Sequence, residues 1–513
     1  MKKAILAVVL CAFAAACASV PPAAPFGSPE ASSGQTSSPA NTQATRQYFD
    51  SLTAGPSPNL SALTLLMTMM PKGGDLHHHY SGAIYVETYL DWVKQKAYCI
   101  YRADNAGLKA SKFRIETRPR GLPDAARALC LNADQVRADN AFYRELLSRW
   151  SDKDFDNHSH QQVAPDQHFF DTFPYFGPIS STYDYNQGLR HLKARAIAEN
   201  VQYIETMLNR PEVPEKLSLP KAVDGLPVDA DEAQVQAALT SLYDFLATNG
   251  AMAGGIEKYV AGMNSAATGI DDGRFKVRFQ AYVVRSNSPA EVFAGLYMGF
   301  AAARRGGPVV GVNIVGPENG IVAMRDYSLH MCMFAFLKQK FPEVRLSLHA
   351  GELTLGMVPP EGLQSHIREA VEVAGAQRIG HGVDIVYERD AIGLLRTMRE
   401  RRVAVEINLT SNAFILGVKN EAHPVQVYRK LGVPFVISTD DAGVSRNNLS
   451  GEYVLYASRY KPSYDELKET VFNSIRYSFL SDAEKSAELR SLARRFAEFE
   501  ARVPELARGA RTN

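Results

Sequence analysis

No run of basic residues in this chain is long enough to neutralise a row of phosphates, and its charges nearly cancel, with Lys+Arg 56 against Asp+Glu 55 and a net charge of +1. Nucleic acid is therefore set aside as a partner. HExxH is absent, and so is any paired-cysteine zinc motif such as PCxxC, which argues against zinc proteases and against nucleobase enzymes of the cytidine-deaminase type. There is no tandem repeat. The one long apolar run, in "MKKAILAVVLCAFAAACASV", covers about 15 residues and is short for a bilayer-spanning helix, which needs ~20. Cysteines number only five in 513 residues.

The apolar run follows two lysines and reads as an export signal over residues 1–16. Ala14, Ala15 and Ala16 before Cys17 resemble a bacterial lipobox, with the new N-terminal Cys17 acylated; an ordinary secretory signal cut nearby is the alternative. The expected location is periplasmic or anchored to the outer membrane, otherwise secreted. The only expected membrane contact is that lipid anchor. An oxidising compartment would permit a disulfide between Cys99 and Cys130, which bracket one polar segment. Cys332 sits in the apolar helical stretch "YSLHMCMFAFLKQ" and reads as a buried free thiol.

With 46% hydrophobic and 22% charged residues the chain is globular and can bury a sizeable core. Residues 17–58 are rich in Pro, Ala, Ser, Thr and Gln without apolar periodicity, and read as a disordered tether. Structure is expected from Asn59 onward, where "NLSALTLLMTMM" has helical spacing. Beyond it, strands are predicted at "GGDLHHH", "VQYIETML", "FKVRFQAYVV", "PVVGVNIV", "VRLSLHA", "RIGHGV", "VAVEINL" and "VPFVIST", most of them separated by helical patterns. Such alternation predicts an α/β fold, a (β/α)8 TIM barrel over residues 59–513. About 120 residues separate the first two strands, far more than elsewhere, so an inserted subdomain is expected over about 96–165, above the barrel mouth.

In a strand, alternate side chains share a face, so His77 and His79 can grip one ion while His78 points away. His349 ends another predicted strand in "LSLHAGE", with Glu352 three residues on. His381 ends the next in "RIGHGVDI", and Asp440 and Asp441 end the last in "VISTDDAG". In an α/β barrel all of these lie at the C-terminal rim, where active sites of this fold gather. His77, His79, His349 and Asp440 make a three-nitrogen, one-carboxylate set suited to Zn2+ with an open position for water. A water on such an ion has its pKa lowered to about 7, and a carboxylic acid beside it can donate a proton. The segment "GVNIVGPEN" carries no lysine to bridge two ions, which favours one metal per chain.

"MPKGGDLHHHYSGA", "GVNIVGPEN", "SLHAGE", "RIGHGVDI" and "STDDAG", in that order, resemble the signatures of the adenosine deaminase family within the amidohydrolase superfamily, roughly from Pro71 to Tyr453. The insertion and the leader look most like the secreted branch, the adenosine deaminase-related growth factors, and their bacterial counterparts. The resemblance implies hydrolysis of adenosine or 2′-deoxyadenosine to the inosine product and ammonia, with one Zn2+ on His77, His79, His349 and Asp440. It implies that Glu352 protonates purine N1, that His381 orients or deprotonates the attacking water, and that Asp441 bonds N7 and helps place the nucleophile. Gly316 would offer its backbone N–H to N3. Ser81 stands where intracellular members carry an aspartate for the ribose 5′-hydroxyl, so the ribose contact, and with it another 6-aminopurine or a modified adenosine as substrate, stays open. In "DQHFFDTF", Phe169, Phe170 and Phe173 are candidate pocket residues or simply core. A nucleoside-binding or signalling module without catalysis is the alternative from another class. The oligomeric state is open, a homodimer included.

Overall fold

The structure is a computed structural model and describes residues 37–152 and 163–509. Its strands are β1 (Gly73–His79), β2 (Cys99–Tyr101), β3 (Ile115–Glu116), β4 (Cys130–Leu131), β5 (Val201–Met207), β6 (Lys276–Val284), β7 (Val309–Val315), β8 (Arg345–Ala350), β9 (Arg378–His381), β10 (Ala404–Ile407) and β11 (Phe435–Ile437). β1 and β5 to β11 form one eight-stranded sheet in that order, every pairing parallel. Each of these eight strands lies where the sequence predicts one, and most of them, though not the polar β1, are mainly apolar runs, as suits strands covered by helices outside and packed inside. The chain is a (β/α)8 barrel.

The barrel closes at a polar seam. Asp440 N–H donates to the His77 carbonyl at 2.9 Å and His79 N–H to the Asp440 carbonyl at 3.3 Å. Below them, buried Asp75 accepts the Thr439 hydroxyl at 2.6 Å and its backbone N–H at 3.2 Å. First and last strands are thus joined at the residues expected to bind metal. At the floor Arg378, fully buried, donates to Glu205 at 2.6 Å and to Glu406 at 2.5 Å, and lies over the Phe479 ring at 3.8 Å. A buried guanidinium with two carboxylates satisfies groups that would otherwise be costly to bury.

The insertion is ordered where it is described. β3-β2-β4 form a small antiparallel sheet, and the Cys99–Cys130 disulfide ties β2 to β4 with Cα atoms 5.4 Å apart. Trp150 is buried and donates its indole N–H to the Phe113 carbonyl at 3.0 Å. Asp152 N–H then reaches the Val444 carbonyl at 3.0 Å, which brings the subdomain against the loop after β11. Residues 153–162 of the insertion lie outside the described residues.

Two expectations need correction. The tether expected over 17–58 is ordered where it is described: Pro39–Thr53 is a helix, capped by the Ser38 side chain on Asn41 N–H, with Thr45, Phe49, Leu52 and Thr53 buried. Those positions recur at helical spacing, and the helix packs on the C-terminal helix Asp482–Gly509, where Glu500 accepts from Thr42 at 2.6 Å. Residues 17–36 and the leader fall outside the described residues. Cys332 is buried in the helix Ile321–Lys340, but it is not a free thiol, since it is disulfide-bonded.

Candidate active site

The residues singled out from the sequence converge at the C-terminal ends of the barrel strands. His77 and His79 end β1, His349 lies in β8, His381 ends β9, and Asp440 and Asp441 follow β11. His79 Nε2 lies 3.3 Å from His349 Nε2 and 3.3 Å from Asp440 Oδ1, and His77 Nε2 lies 3.4 Å from the same Asp440 oxygen. His77 Nε2 is buried with no hydrogen-bond partner among the described residues. Imidazole nitrogens facing one another and one carboxylate oxygen, with no donor between them, are a donor set that fits Zn2+. His77, His79 and Asp440 could hold an ion together, as could His77, His349 and His381, or Glu352, His381 and Asp440, each group within 4.8 Å.

His78 points away, as alternation requires. Its Nδ1 pairs with Thr206 Oγ1 at 2.9 Å, and burial, before the nearby Arg195 charge, holds its pKa down at about 3.

A second ring of buried groups orients the first, and none of it was singled out in the sequence. Glu406 in β10 accepts from His77 Nδ1 at 2.7 Å, from Ser347 Oγ at 2.8 Å and from Arg378. Burial alone would raise its pKa; Arg378 and His77 outweigh that and bring it to about 2. Asn313 Oδ1 meets His349 Nδ1 at 3.0 Å, and Ser411 donates to Asp440 Oδ2 at 2.7 Å. A glutamate in the apolar strand "VAVEINL" was the available signal, since buried carboxylates need partners. An imidazole ligand whose far nitrogen is held by a carboxylate is the usual outer support of a metal site. Glu406→Gln is expected to weaken metal binding by about 10–100-fold, as read by competition with a chelating dye.

Glu352 is buried, and its backbone N–H and that of Gly351 donate to Glu318 at 3.1 and 3.0 Å. Glu318 itself is held ionised: burial is outweighed by Arg285 and His366, which bring its pKa to about 2. Burial, then the charges of Asp440 and Glu318, push the Glu352 carboxyl well above the usual range. Asp441 is raised by burial and by Asp440, whereas Asp440 is held well below the ordinary value, burial being outweighed by the facing imidazoles of His77 and His79. The surroundings therefore favour the ionised form at Asp440 and the protonated form at Glu352 and Asp441.

Two rim residues have left-handed backbone, His381 at φ 69° and Asp440 at φ 59°. That conformation costs a side-chain-bearing residue roughly 1–2 kcal/mol, and such strain collects at functional sites. Gly316 has φ +100°, while a Cβ there would meet nothing closer than Val284 at 3.6 Å. Backbone conformation, more than crowding, demands that glycine. Gly82 is the opposite case, since a Cβ would sit 1.5 Å from Asp441 Oδ1. Gly82→Ala is expected to displace Asp441 and to lower kcat/KM by about 10²-fold while the fold is kept, as checked by steady-state kinetics and circular dichroism.

Ser81 is half-buried in the short helix Tyr80–Ala83, its carbonyl accepting the Tyr89 hydroxyl at 2.6 Å. Phe169 is buried in the helix Pro165–Ser180, packed edge-on against Phe170 and Phe173 at 5.2 and 5.7 Å. That helix packs on the helix Leu409–Ile415 after β10, and Asp166 accepts from Asn319 in the Gly316 loop at 2.9 Å.

Fold and rim together define a (β/α)8 barrel with a histidine and carboxylate centre. Residues 256–494 match the family model for adenosine deaminase. An adenosine deaminase of Clostridium perfringens is 33% identical over 139 residues, covering 27% of this chain and 39% of that one. One of Enterococcus faecalis is 35% identical over 178 residues, covering 34% and 48%. The chain thus spans less than half the length of these curated relatives. In architecture it resembles an adenine deaminase from Arthrobacter aurescens (TM-score 0.52, 18% identity, 82% of this chain and 98% of that one). It also resembles an N6-methyl-AMP deaminase from Arabidopsis thaliana (TM-score 0.53, 17% identity, 86% and 99%). Over residues 256–494 the chain is thus similar to the adenosine deaminase family.

Proposed function

We propose that this protein hydrolytically deaminates adenosine and 2′-deoxyadenosine to inosine and 2′-deoxyinosine with release of ammonia, using one Zn2+ held by His77, His79, His349 and Asp440. The ion, when bound, supplies Lewis acidity and an attacking oxygen at neutral pH. Glu352, kept neutral by its burial, gives its proton to purine N1 and makes C6 electrophilic. Asp441 Oδ1, buried and without a partner among the described residues, bonds N7. The Gly316 N–H faces N3, and His381 lies beside the attacking oxygen. Water adds at C6, and the amino group leaves as ammonia.

The single observation that carries this reading is the buried Glu352 carboxyl lying 3.6 Å from His381, beside the nitrogen-rich donor set. A purely binding module has no use for that combination. Deamination of another 6-aminopurine or of a modified adenosine is the second reading, favoured by Ser81 at the expected ribose contact. The names of the fold relatives, an adenine deaminase and an N6-methyl-AMP deaminase, fit that range of substrates. Export to an oxidising compartment, as in the secreted growth-factor branch, belongs to the proposal and draws support from the Cys99–Cys130 disulfide. Ammonia release from adenosine, deoxyadenosine, adenine and AMP tests it. Turnover confined to the two nucleosides is expected; turnover of adenine or AMP alone selects the second reading, and none at all leaves only binding.

A further inference from the structure

A chain of buried hydrogen bonds runs from the main chain at Val425 to the imidazole of His381. Val425 N–H lies 3.1 Å from His423 Nδ1. A backbone N–H can only donate, so His423 Nδ1 is an acceptor, its ring is neutral, and its proton sits on Nε2. His423 Nε2 is 3.1 Å from Asn412 Oδ1, which fixes the orientation of that amide with its oxygen toward His423. The amide nitrogen is thereby turned to His381 Nδ1, at 2.9 Å. A second amide nitrogen, that of Asn408, faces the same Nδ1 at 3.4 Å. Side-chain amide nitrogens, like the backbone N–H, only donate, so His381 Nδ1 carries a lone pair. The remaining group on that side, Glu352 Oε1, is 3.6 Å away, outside hydrogen-bond distance.

We infer that His423 and Asn412 are positioning residues that hold His381 as the neutral tautomer with its proton on Nε2, so that the ring presents an N–H to the oxygen attacking the purine. This rests on the deaminase reading above, and it decides between two roles the sequence leaves open for His381. On the Nε2 side the nearest carboxylate oxygen, Asp440 Oδ2, is 3.8 Å away, too far for a direct bond. The N–H is therefore free to meet a third oxygen lying between the two. A nitrogen already bearing its proton cannot take another there, so His381 orients the nucleophile and steadies its negative charge. All four relay members, His381, Asn408, Asn412 and His423, are buried, so water cannot reverse the direction of the donors.

The test reads the tautomer directly, with [15N]histidine-labelled, metal-loaded full-chain protein and long-range 1H–15N correlation, the His381 signals being assigned by their loss in His381→Gln. Wild type is expected to show His381 Nδ1 unprotonated and Nε2 protonated. Asn412→Asp offers His381 an acceptor in place of a donor and is expected to reverse the two, with kcat lowered by about 10²-fold and KM moved by less than about threefold. His423→Gln, whose amide nitrogen can still donate to Asn412, is expected to keep the wild-type pattern. A wild-type ring protonated at Nδ1, or an Asn412→Asp protein with unchanged tautomer and rate, overturns the inference. Should Asn412→Asp fail to fold, the wild-type and His423→Gln spectra still decide. The spectra need no substrate: the expected tautomer in a protein that deaminates nothing would retire the proposed function and leave the relay standing.

Discussion

Glu352→Gln is expected to lower kcat for adenosine by about 10²-fold or more while metal content and fold stay at wild-type levels. Glutamine fills the same volume and can still donate a hydrogen bond to purine N1, but it has no proton to give up. The backbone of residue 352 stays anchored, because Glu318 accepts from two successive N–H groups that the substitution leaves untouched. pH adds a second signature. The donor must be protonated, a state kept below its raised pKa, so the wild-type rate falls as pH rises through that value. The residual rate of Glu352→Gln lacks that limb. Wild-type turnover in this variant, by ammonia release or the ultraviolet change of the purine, would remove Glu352 from the role.

Asp440→Ala is expected to abolish metal retention and to bring the rate down to that of metal-free protein. One carboxylate oxygen faces both His77 and His79, at 3.4 and 3.3 Å, so its loss removes a ligand and the anionic partner of the buried His77 and half-buried His79 imidazoles. Removing one member of a buried pair costs roughly 3–5 kcal/mol because the other is left uncompensated. The strand seam survives, since it runs through the backbone of residue 440. Asp440→Asn keeps the shape and removes only the charge, which separates lost ligation from lost packing. Metal analysis after gel filtration reads both variants; full retention by either would force a different ligand set.

The barrel was legible in the sequence because its strands are short apolar runs with punctuated ends, and the rim residues because they stand at those ends in "HHH", "LHAGE", "GHG" and "TDD". The helix Pro39–Thr53 was not legible. Only Phe49 and Leu52 among its buried residues are strongly apolar, and what orders them is a helix that begins at Asp482. The outer ring was hidden for a related reason. Glu406 meets its partners Ser347 and Arg378 across separations of 59 and 28 residues, and Asn313 meets His349 across 36. Nothing local marks such pairings, although a charged residue in mid-strand shows that a partner must exist. His423 had no signal at all, lying in a loop before the helix Val425–Leu431.

Stoichiometric reconstitution tests the central claim most directly: strip the protein with a chelator, titrate Zn2+ back, and follow ammonia release from adenosine at each step. Activity is expected to be absent in the stripped protein, to rise linearly with bound zinc and to break sharply at one equivalent per chain. Turnover that survives complete metal removal, or none at full occupancy, would contradict it.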